Sequence, residues 1–131
     1  METDNKVYNI YPDTTSDMIV MEWEGYATSQ EFREGTETML NLLIEQRMHK
    51  VLGNIRNMVI IGAEDQKWME TNFLPRATRF GIKACALVNP INYFNKVAVE
   101  AISFKVEKEK LQIKFFDTSE EAKEWLDSLT F

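Results

Sequence analysis

The segment Lys50-Val51-Leu52-Gly53-Asn54-Ile55 decides the fold, because it is a short apolar run between two segments with helical periodicity. Such a run is typical of a strand buried in a largely parallel sheet. The helix before it is marked by a capping box, in which Thr28 is followed three residues later by Glu31. We therefore expect strands and helices to alternate on both sides of this segment.

The same alternation extends along the chain. A hairpin is predicted at the N-terminus, where Asp13 to Asp17 supply turn chemistry, and Pro75 is expected to kink or split the second helix near Asn72. Because no linker interrupts the pattern, we predict one α/β domain over residues 1–131, with the order ββαβαβαβα and a mostly parallel five-stranded sheet whose N-terminal hairpin strand is antiparallel. The predicted strands are 7–11, 18–23, 50–55, 82–88 and 111–116, and the predicted helices are 28–49, 64–80, 92–105 and one that begins at 119.

Composition limits the possible functions. Fifteen basic and 21 acidic residues give a net charge of −6, which repels nucleic-acid phosphates and anionic membrane surfaces. No apolar run reaches the length of a membrane span and the first residues, METDNK, hold no signal-peptide core, so we expect a cytoplasmic protein. A single cysteine and a single histidine exclude an intrachain disulfide and a Cys/His zinc cage. We predict neither a metal nor a cofactor.

Short motifs are spread over nearly the whole chain: Trp23-x-Gly25, Val51-Leu52-Gly53-Asn54-Ile55-Arg56, Glu64-Asp65-x-x-Trp68, Gly81-Ile82-Lys83 and Phe116-Asp117…Glu121-Ala122…Trp125-Leu126. With the predicted order of elements, they resemble the SpoIIAA-like family, also called STAS/SEC14-like. The resemblance implies a βα superhelix shared by anti-sigma-factor antagonists and, more distantly, by CRAL-TRIO lipid carriers. A shared fold does not by itself fix a function.

The antagonists are phosphorylation switches whose acceptor serine lies near the start of the helix after the third strand. No Ser, Thr or Tyr occurs from Met39 to Glu70, and Glu64 with Asp65 would repel a phosphate there. The switch therefore cannot be transferred to this chain. A role for the acid that family members often carry where Asn54 stands cannot be transferred either.

Residues that could carry catalysis have simpler structural interpretations. His49 is predicted in the last turn of the first helix, where it would interact with the helix dipole, and Cys85 lies mid-strand, where thiolate formation is disfavoured. The pair Glu64 and Asp65 suits a helix start. We predict no catalytic residue and a protein that is not an enzyme, although an enzyme of unknown chemistry stays as a third hypothesis.

Polar side chains at one strand end form the best candidate binding site. Arg56 and Asn57 follow the buried strand directly after Asn54, and open α/β sheets bind ligands at the carboxyl ends of their strands. Arg76 and Arg79 could join Arg56 around an anion, although a solvated basic face is the simpler interpretation. Trp68 is a further binding candidate, for which burial in or beside the core is the simpler interpretation.

The third predicted helix carries more apolar residues than a surface helix needs. Its apolar arc of about 180° exceeds the ~100° stripe that faces a core. Phe94 and Ala101 are expected at the middle of the arc, facing the sheet, whereas Tyr93 and Phe104 lie near its edge and Val99 lies outside it. The surplus indicates a well-buried helix, a subunit contact through Tyr93, Val97 and Phe104, or a lid over an apolar ligand. The arc comprises Ile91, Tyr93, Phe94, Val97, Ala98, Ala101, Ile102 and Phe104.

Two functions from different classes follow from these observations. The leading hypothesis is a non-enzymatic regulatory or protein-interaction module that forms a homodimer. The alternative is a small carrier for an apolar or amphipathic ligand, in keeping with the distant CRAL-TRIO relationship and the broad apolar helix.

Overall fold

The structure, a computed structural model, describes residues 7–59 and 61–131. Residues 1–6, in which no signal-peptide core was found, lie outside the described residues, as does Ile60. The elements follow one another in the predicted order. They are β1 (Tyr8–Asp13), β2 (Met18–Tyr26), α1 (Ser29–Gln46), β3 (Lys50–Val59), α2 (Ala63–Trp68), a π-helical turn (Met69–Phe73), α3 (Leu74–Arg79), β4 (Ala84–Val88), α4 (Tyr93–Phe104), β5 (Gln112–Phe116) and α5 (Ser119–Asp127).

The five strands form one sheet in the spatial order β1-β2-β3-β4-β5. β1 pairs antiparallel with β2, and every other neighbouring pair is parallel. The predicted mixed α/β sheet is therefore confirmed. Because successive parallel strands are neighbours and crossovers are right-handed, the connecting helices are carried to the same face of the sheet.

Two apolar clusters fill the two faces. The larger one packs α1, the segment from α2 to α3, and α4 against strand residues such as Ile19, Val51 and Leu87. The smaller one lies under α5 and contains Ala84, Ala86 and Ala122. These small residues let α5 approach the sheet closely. The Lys50 ammonium group, which is buried on this side, donates a hydrogen bond of 2.7 Å to the carbonyl of Leu126 near the end of α5.

The start of α1 confirms the predicted capping box. The Glu31 amide donates to Thr28 Oγ1 at 3.1 Å, and the Thr28 amide donates to Glu31 Oε1 at 2.9 Å. At the other end, Arg47 adopts a left-handed conformation (φ 57°) and stops α1 before His49. The predicted position of His49 in the last helical turn is therefore wrong. Its Nδ1 instead lies 2.7 Å from the carbonyl oxygen of Gly81, which links the two loops that lead into β3 and β4.

The second helical segment is interrupted where the sequence predicted an irregularity. A π-helical turn separates α2 from α3, and Pro75 lies in the first turn of α3, where a missing amide hydrogen costs least. Gly81, with φ 116°, ends the segment in a conformation that favours glycine. Among the described residues, none of the helices is both long and apolar enough to cross a membrane.

Candidate functional site

The predicted polar site lies on an extension of β3 rather than beyond its end. β3 continues to Val59 because β2 pairs with it as far as Tyr26, whereas the pairing with β4 ends at Asn54. Arg56 and Asn57 are therefore exposed residues within a strand. The predicted strand end at Ile55 is wrong, because pairing with β2 resumes after an irregularity between Glu22 and Glu24.

The side chains around this extension make local hydrogen bonds. Asn54 donates through Nδ2 to Ser119 Oγ at 3.4 Å, and its Oδ1 accepts from the Arg56 amide at 3.2 Å. Asn57 donates to Glu24 Oε2 at 2.7 Å. The Arg56 guanidinium is exposed, and the described part of the chain supplies no ion-pair partner for it.

The strand order removes the main reason for expecting a binding crevice here. In open α/β sheets, crevices form where successive connections depart to opposite faces of the sheet. In this sheet each parallel strand is followed by its immediate neighbour, and α1, α3 and α4 pack on one side. The carboxyl end of β3 consequently has no topological switch point beside its polar residues, Asn54, Arg56 and Asn57.

The other predicted basic residues lie at the opposite end of the sheet. α3 leads into the start of β4 through Gly81, whereas the Arg56 carbonyl accepts a hydrogen bond from the Ile91 amide, beyond the end of β4. Arg76 is held by the Glu37 carboxylate in two hydrogen bonds, which raise the pKa of its guanidinium, and it donates to Asn72 Oδ1 at 3.0 Å. Arg79 stacks on Phe80, 5.9 Å from the ring centroid. The structure does not bring Arg76 and Arg79 to Arg56.

Trp68 lies at the edge of the larger core. Its ring contacts Phe32 and Phe73, with centroid separations of 6.3 Å and 5.5 Å, and the Arg33 guanidinium lies 5.2 Å from its centroid. The neighbouring Asp65 carboxylate is buried and accepts hydrogen bonds from Ser29 Oγ at 2.6 Å and from Arg33 Nε at 3.0 Å. Asp65 therefore joins α1 to α2, a role that its position at a helix start did not reveal.

The orientation of α4 corrects the predicted apolar arc. Phe94, expected to face the sheet, is 70% exposed, and Val99, expected outside the arc, is buried. The cause is Asn95, which is completely buried and holds the helix through its side-chain amide. Its Nδ2 donates to the Met58 carbonyl at 2.9 Å, and its Oδ1 accepts from the Ile61 amide at 2.6 Å. The buried side of α4 consists of Asn95, Ala98, Val99 and Ile102.

Five large apolar residues are left facing solvent by this orientation. We call them the α4 apolar face. Their exposure ranges from 47% for Val97 to 84% for Phe104, and the rings of Tyr93 and Phe94 contact each other edge to face at 5.8 Å. Isolated apolar residues are normal on a surface, whereas a group of five on and beside one helix is a candidate interaction site. The α4 apolar face consists of Ile91, Tyr93, Phe94, Val97 and Phe104.

Two concave regions also occur in the described part of the chain. An open groove of about 790 Å³ lies between α3 and the loop from α4 to β5, where Arg79, Lys83 and Lys108 lie near Glu107 and Glu109. A cavity of about 90 Å³ lies inside the larger core, lined almost entirely by apolar side chains that include Met21, Met58 and Cys85. Burial raises the pKa of the Cys85 thiol to about 12. The thiolate needed for nucleophilic attack is therefore absent near neutral pH.

The fold is a five-stranded α/β sheet with helices on both faces, and α4 presents exposed apolar side chains. The sequence profile of the SpoIIAA-like family matches residues 18–127, and the chain belongs to that family. No curated protein sequence is significantly similar to it.

A solved structure has a similar fold. It is the crystal structure of an uncharacterised protein of the DUF3478 family from Shewanella loihica PV-4, which is described as having a SpoIIAA-like fold. The two chains are 14% identical, the comparison covers 91% of each, and the TM-score is 0.63. At this identity the likeness shows the fold alone.

Proposed function

We propose that this chain is a non-enzymatic regulatory or protein-interaction module of the cytoplasm, that residues 1–131 act as one domain, and that it forms a homodimer. The observation that carries the proposal is the α4 apolar face. Exposing these side chains is unfavourable, at roughly 25 cal/mol per Å² of apolar surface left in water. A protein partner that covers them recovers that free energy.

Two groups that could act in catalysis, the Cys85 thiol and the Asp65 carboxylate, are buried or hydrogen-bonded within the protein. This supports the non-enzymatic part of the proposal. The Cys85 thiol packs against the core with its pKa raised to about 12. The Asp65 carboxylate is occupied by Ser29 and Arg33, so it is not available as a free general base. The functional surface that remains most prominent is apolar and suited to contact with another protein.

Light scattering coupled to gel filtration tests the proposal. At tens of micromolar, the wild-type chain should elute with twice its chain mass of 15.3 kDa. Phe104→Glu should give a folded monomer, because the introduced carboxylate would be desolvated in the contact. A monomeric wild-type protein under these conditions would exclude the homodimer.

Ile102→Ala is the matched control on the same helix. Ile102 is buried on the core side of α4, so its truncation should lower the free energy of unfolding by about 2–5 kcal/mol without removing the contact surface. The predicted arc would make Phe94→Ala the control for core packing, but Phe94 faces solvent. This substitution should therefore weaken association. Circular dichroism establishes that each variant is folded.

The cavity in the larger core favours a second candidate function, the binding of a small apolar ligand. Its volume of about 90 Å³ is below that of an engineered cavity of roughly 150 Å³ that admits benzene. Met21, Met58 and other flexible methionines line it and can adjust to an occupant. Mass spectrometry of an organic extract of the purified protein should find a stoichiometric ligand if this function is correct, and an extract without one contradicts it.

A further inference from the structure

The exposed side of α4 has a graded shape. At about 100° per residue, Tyr93, Phe104, Val97, Ala101 and Phe94 fall within an arc of about 100°. The smaller side chains, Val97 and Ala101, lie at the middle of the helix, whereas aromatic rings lie towards both ends. A second helix can therefore approach closely at the centre while the rings at its two ends pack beside it.

The charges beside this arc are arranged asymmetrically. On one side lie Lys96 and Glu100, and the described residues provide neither of them with an ion pair. On the other side lie Ala98 and Ile102, which are covered by the sheet and its loops. Only one flank of α4 can therefore meet the flank of another helix.

An antiparallel pair of helices related by a two-fold axis brings each flank opposite the same flank of its partner. Lys96 and Glu100 are four residues apart and carry opposite charges, so this symmetry places Lys96 of one copy near Glu100 of the other, twice. In a parallel pair, the flank of one copy that carries Lys96 and Glu100 would instead lie beside the other flank of its partner, which the sheet and its loops already cover. This arrangement would leave Lys96 and Glu100 without a complement.

We propose that the occupant of the α4 apolar face is a second copy of this chain, with the two α4 helices antiparallel and Lys96 paired with Glu100 across the two-fold axis. The inference rests on the proposed homodimer and adds its geometry. Phe104 of each copy then packs beside Tyr93 and Phe94 of the other, and the two Val97 side chains lie near the axis.

The size and charge of the surface fit this occupant. Aromatic side chains bury about 150–250 Å² each, so the α4 apolar face offers on the order of 600 Å² per copy and a two-fold contact removes about 1,200 Å². That is the lower limit for a specific interface. Each copy carries a net charge of −6, and an uncharged face with one self-complementary charged flank lets two such copies approach without a concentrated repulsion.

A charge-exchange experiment on the full chain tests this geometry. Lys96→Glu and Glu100→Lys should each weaken dimerisation by about tenfold in Kd, because each places like charges opposite each other, and the double exchange should restore the wild-type value. Sedimentation equilibrium measures the dissociation constants of the wild type, the two single variants and the double variant. Lys108→Glu is the matched control for Lys96→Glu, since it makes the same change in net charge on an exposed residue of the loop after α4, and it should leave Kd unchanged.

The possible results separate the geometry from the proposed function. A wild-type chain that is monomeric contradicts the homodimer itself. Two results contradict the antiparallel pair but not the homodimer. One is a Kd that neither single exchange changes, and the other is a double variant that dimerises as weakly as the single variants. Weakening by each single exchange with recovery in the double variant supports the geometry.

Discussion

The Asn95 side-chain amide donates a hydrogen bond of 2.9 Å to the backbone carbonyl of Met58, and this contact sets the rotation of α4. Met58 lies near the end of β3, beyond the last residue that pairs with β4. Because Asn95 accepts from the Ile61 amide as well, one buried side chain binds two backbone groups, one in β3 and one in the loop that follows it. The aromatic residues of α4 are turned to solvent as a consequence.

Asn95→Ala should destabilise the protein by about 2–6 kcal/mol. The substitution leaves the Met58 carbonyl and the Ile61 amide without a partner, and each unsatisfied buried group costs about 1–3 kcal/mol. Urea unfolding followed by circular dichroism measures the loss. Asn41→Ala, an exposed position on α1, is the matched control and should change stability by less than about 0.5 kcal/mol. Equal effects of the two substitutions would show that the buried amide does not anchor α4.

Gly35→Ala should lower stability although alanine is the better helix former. A Cβ at Gly35 would lie 2.6 Å from Cη2 of the buried Trp23 ring and 3.0 Å from Cδ2 of Tyr8. Overpacking of this kind costs about 1–3 kcal/mol, against roughly 1 kcal/mol gained in helix propensity. Thermal unfolding measures the net effect. Gly62→Ala, where a Cβ meets open space, should cost less than about 1 kcal/mol, and a more stable Gly35→Ala protein would contradict the close packing.

Arg56→Ala and Arg76→Ala should differ in their effects on stability. Arg56 is exposed and has no ion pair with any residue that the structure describes, so its loss should cost less than about 0.5 kcal/mol. Arg76 is bound by Glu37 and Asn72 and lies 5.7 Å from the Phe73 ring centroid, so its loss should cost about 1 kcal/mol after allowance for solvent exposure. Melting temperatures measure the difference. A larger loss for Arg56→Ala would reveal a structural role for that residue and exclude it as a free binding group.

Stability should decline at alkaline pH partly because of Cys85. The pKa of this thiol is raised from 9.0 to about 12, so the unfolded chain releases the proton at a lower pH than the folded chain does. This contribution is complete below about pH 9 and is lost as the pH rises towards 12. Cys85→Ala should therefore show a shallower decline than the wild type in urea unfolding between about pH 8 and pH 11. Burial also raises the pKa of Tyr8 to about 12, and because both proteins share Tyr8, the difference isolates the thiol. If the stability of the two proteins declines equally with pH, burial does not raise the pKa of Cys85.

Local patterns in the sequence determined the order of the elements and the class of the sheet. Thr28 with Glu31 marks the start of α1, and the apolar run from Lys50 to Ile55 marks a buried strand, because both signals depend on residues a few positions apart. Pro75 likewise predicts the irregularity between α2 and α3 from its missing amide hydrogen alone. These features follow from the backbone chemistry of short segments.

The tertiary structure decided which faces are buried and where strands end. The apolar arc of α4 was centred wrongly because a polar residue, Asn95, occupies the buried side, where long-range hydrogen bonds to Met58 and Ile61 offset its desolvation. β3 extends past Ile55 only because β2 lies beside it as a pairing partner. Both outcomes depend on groups that are distant in sequence, and periodicity within one segment cannot report them.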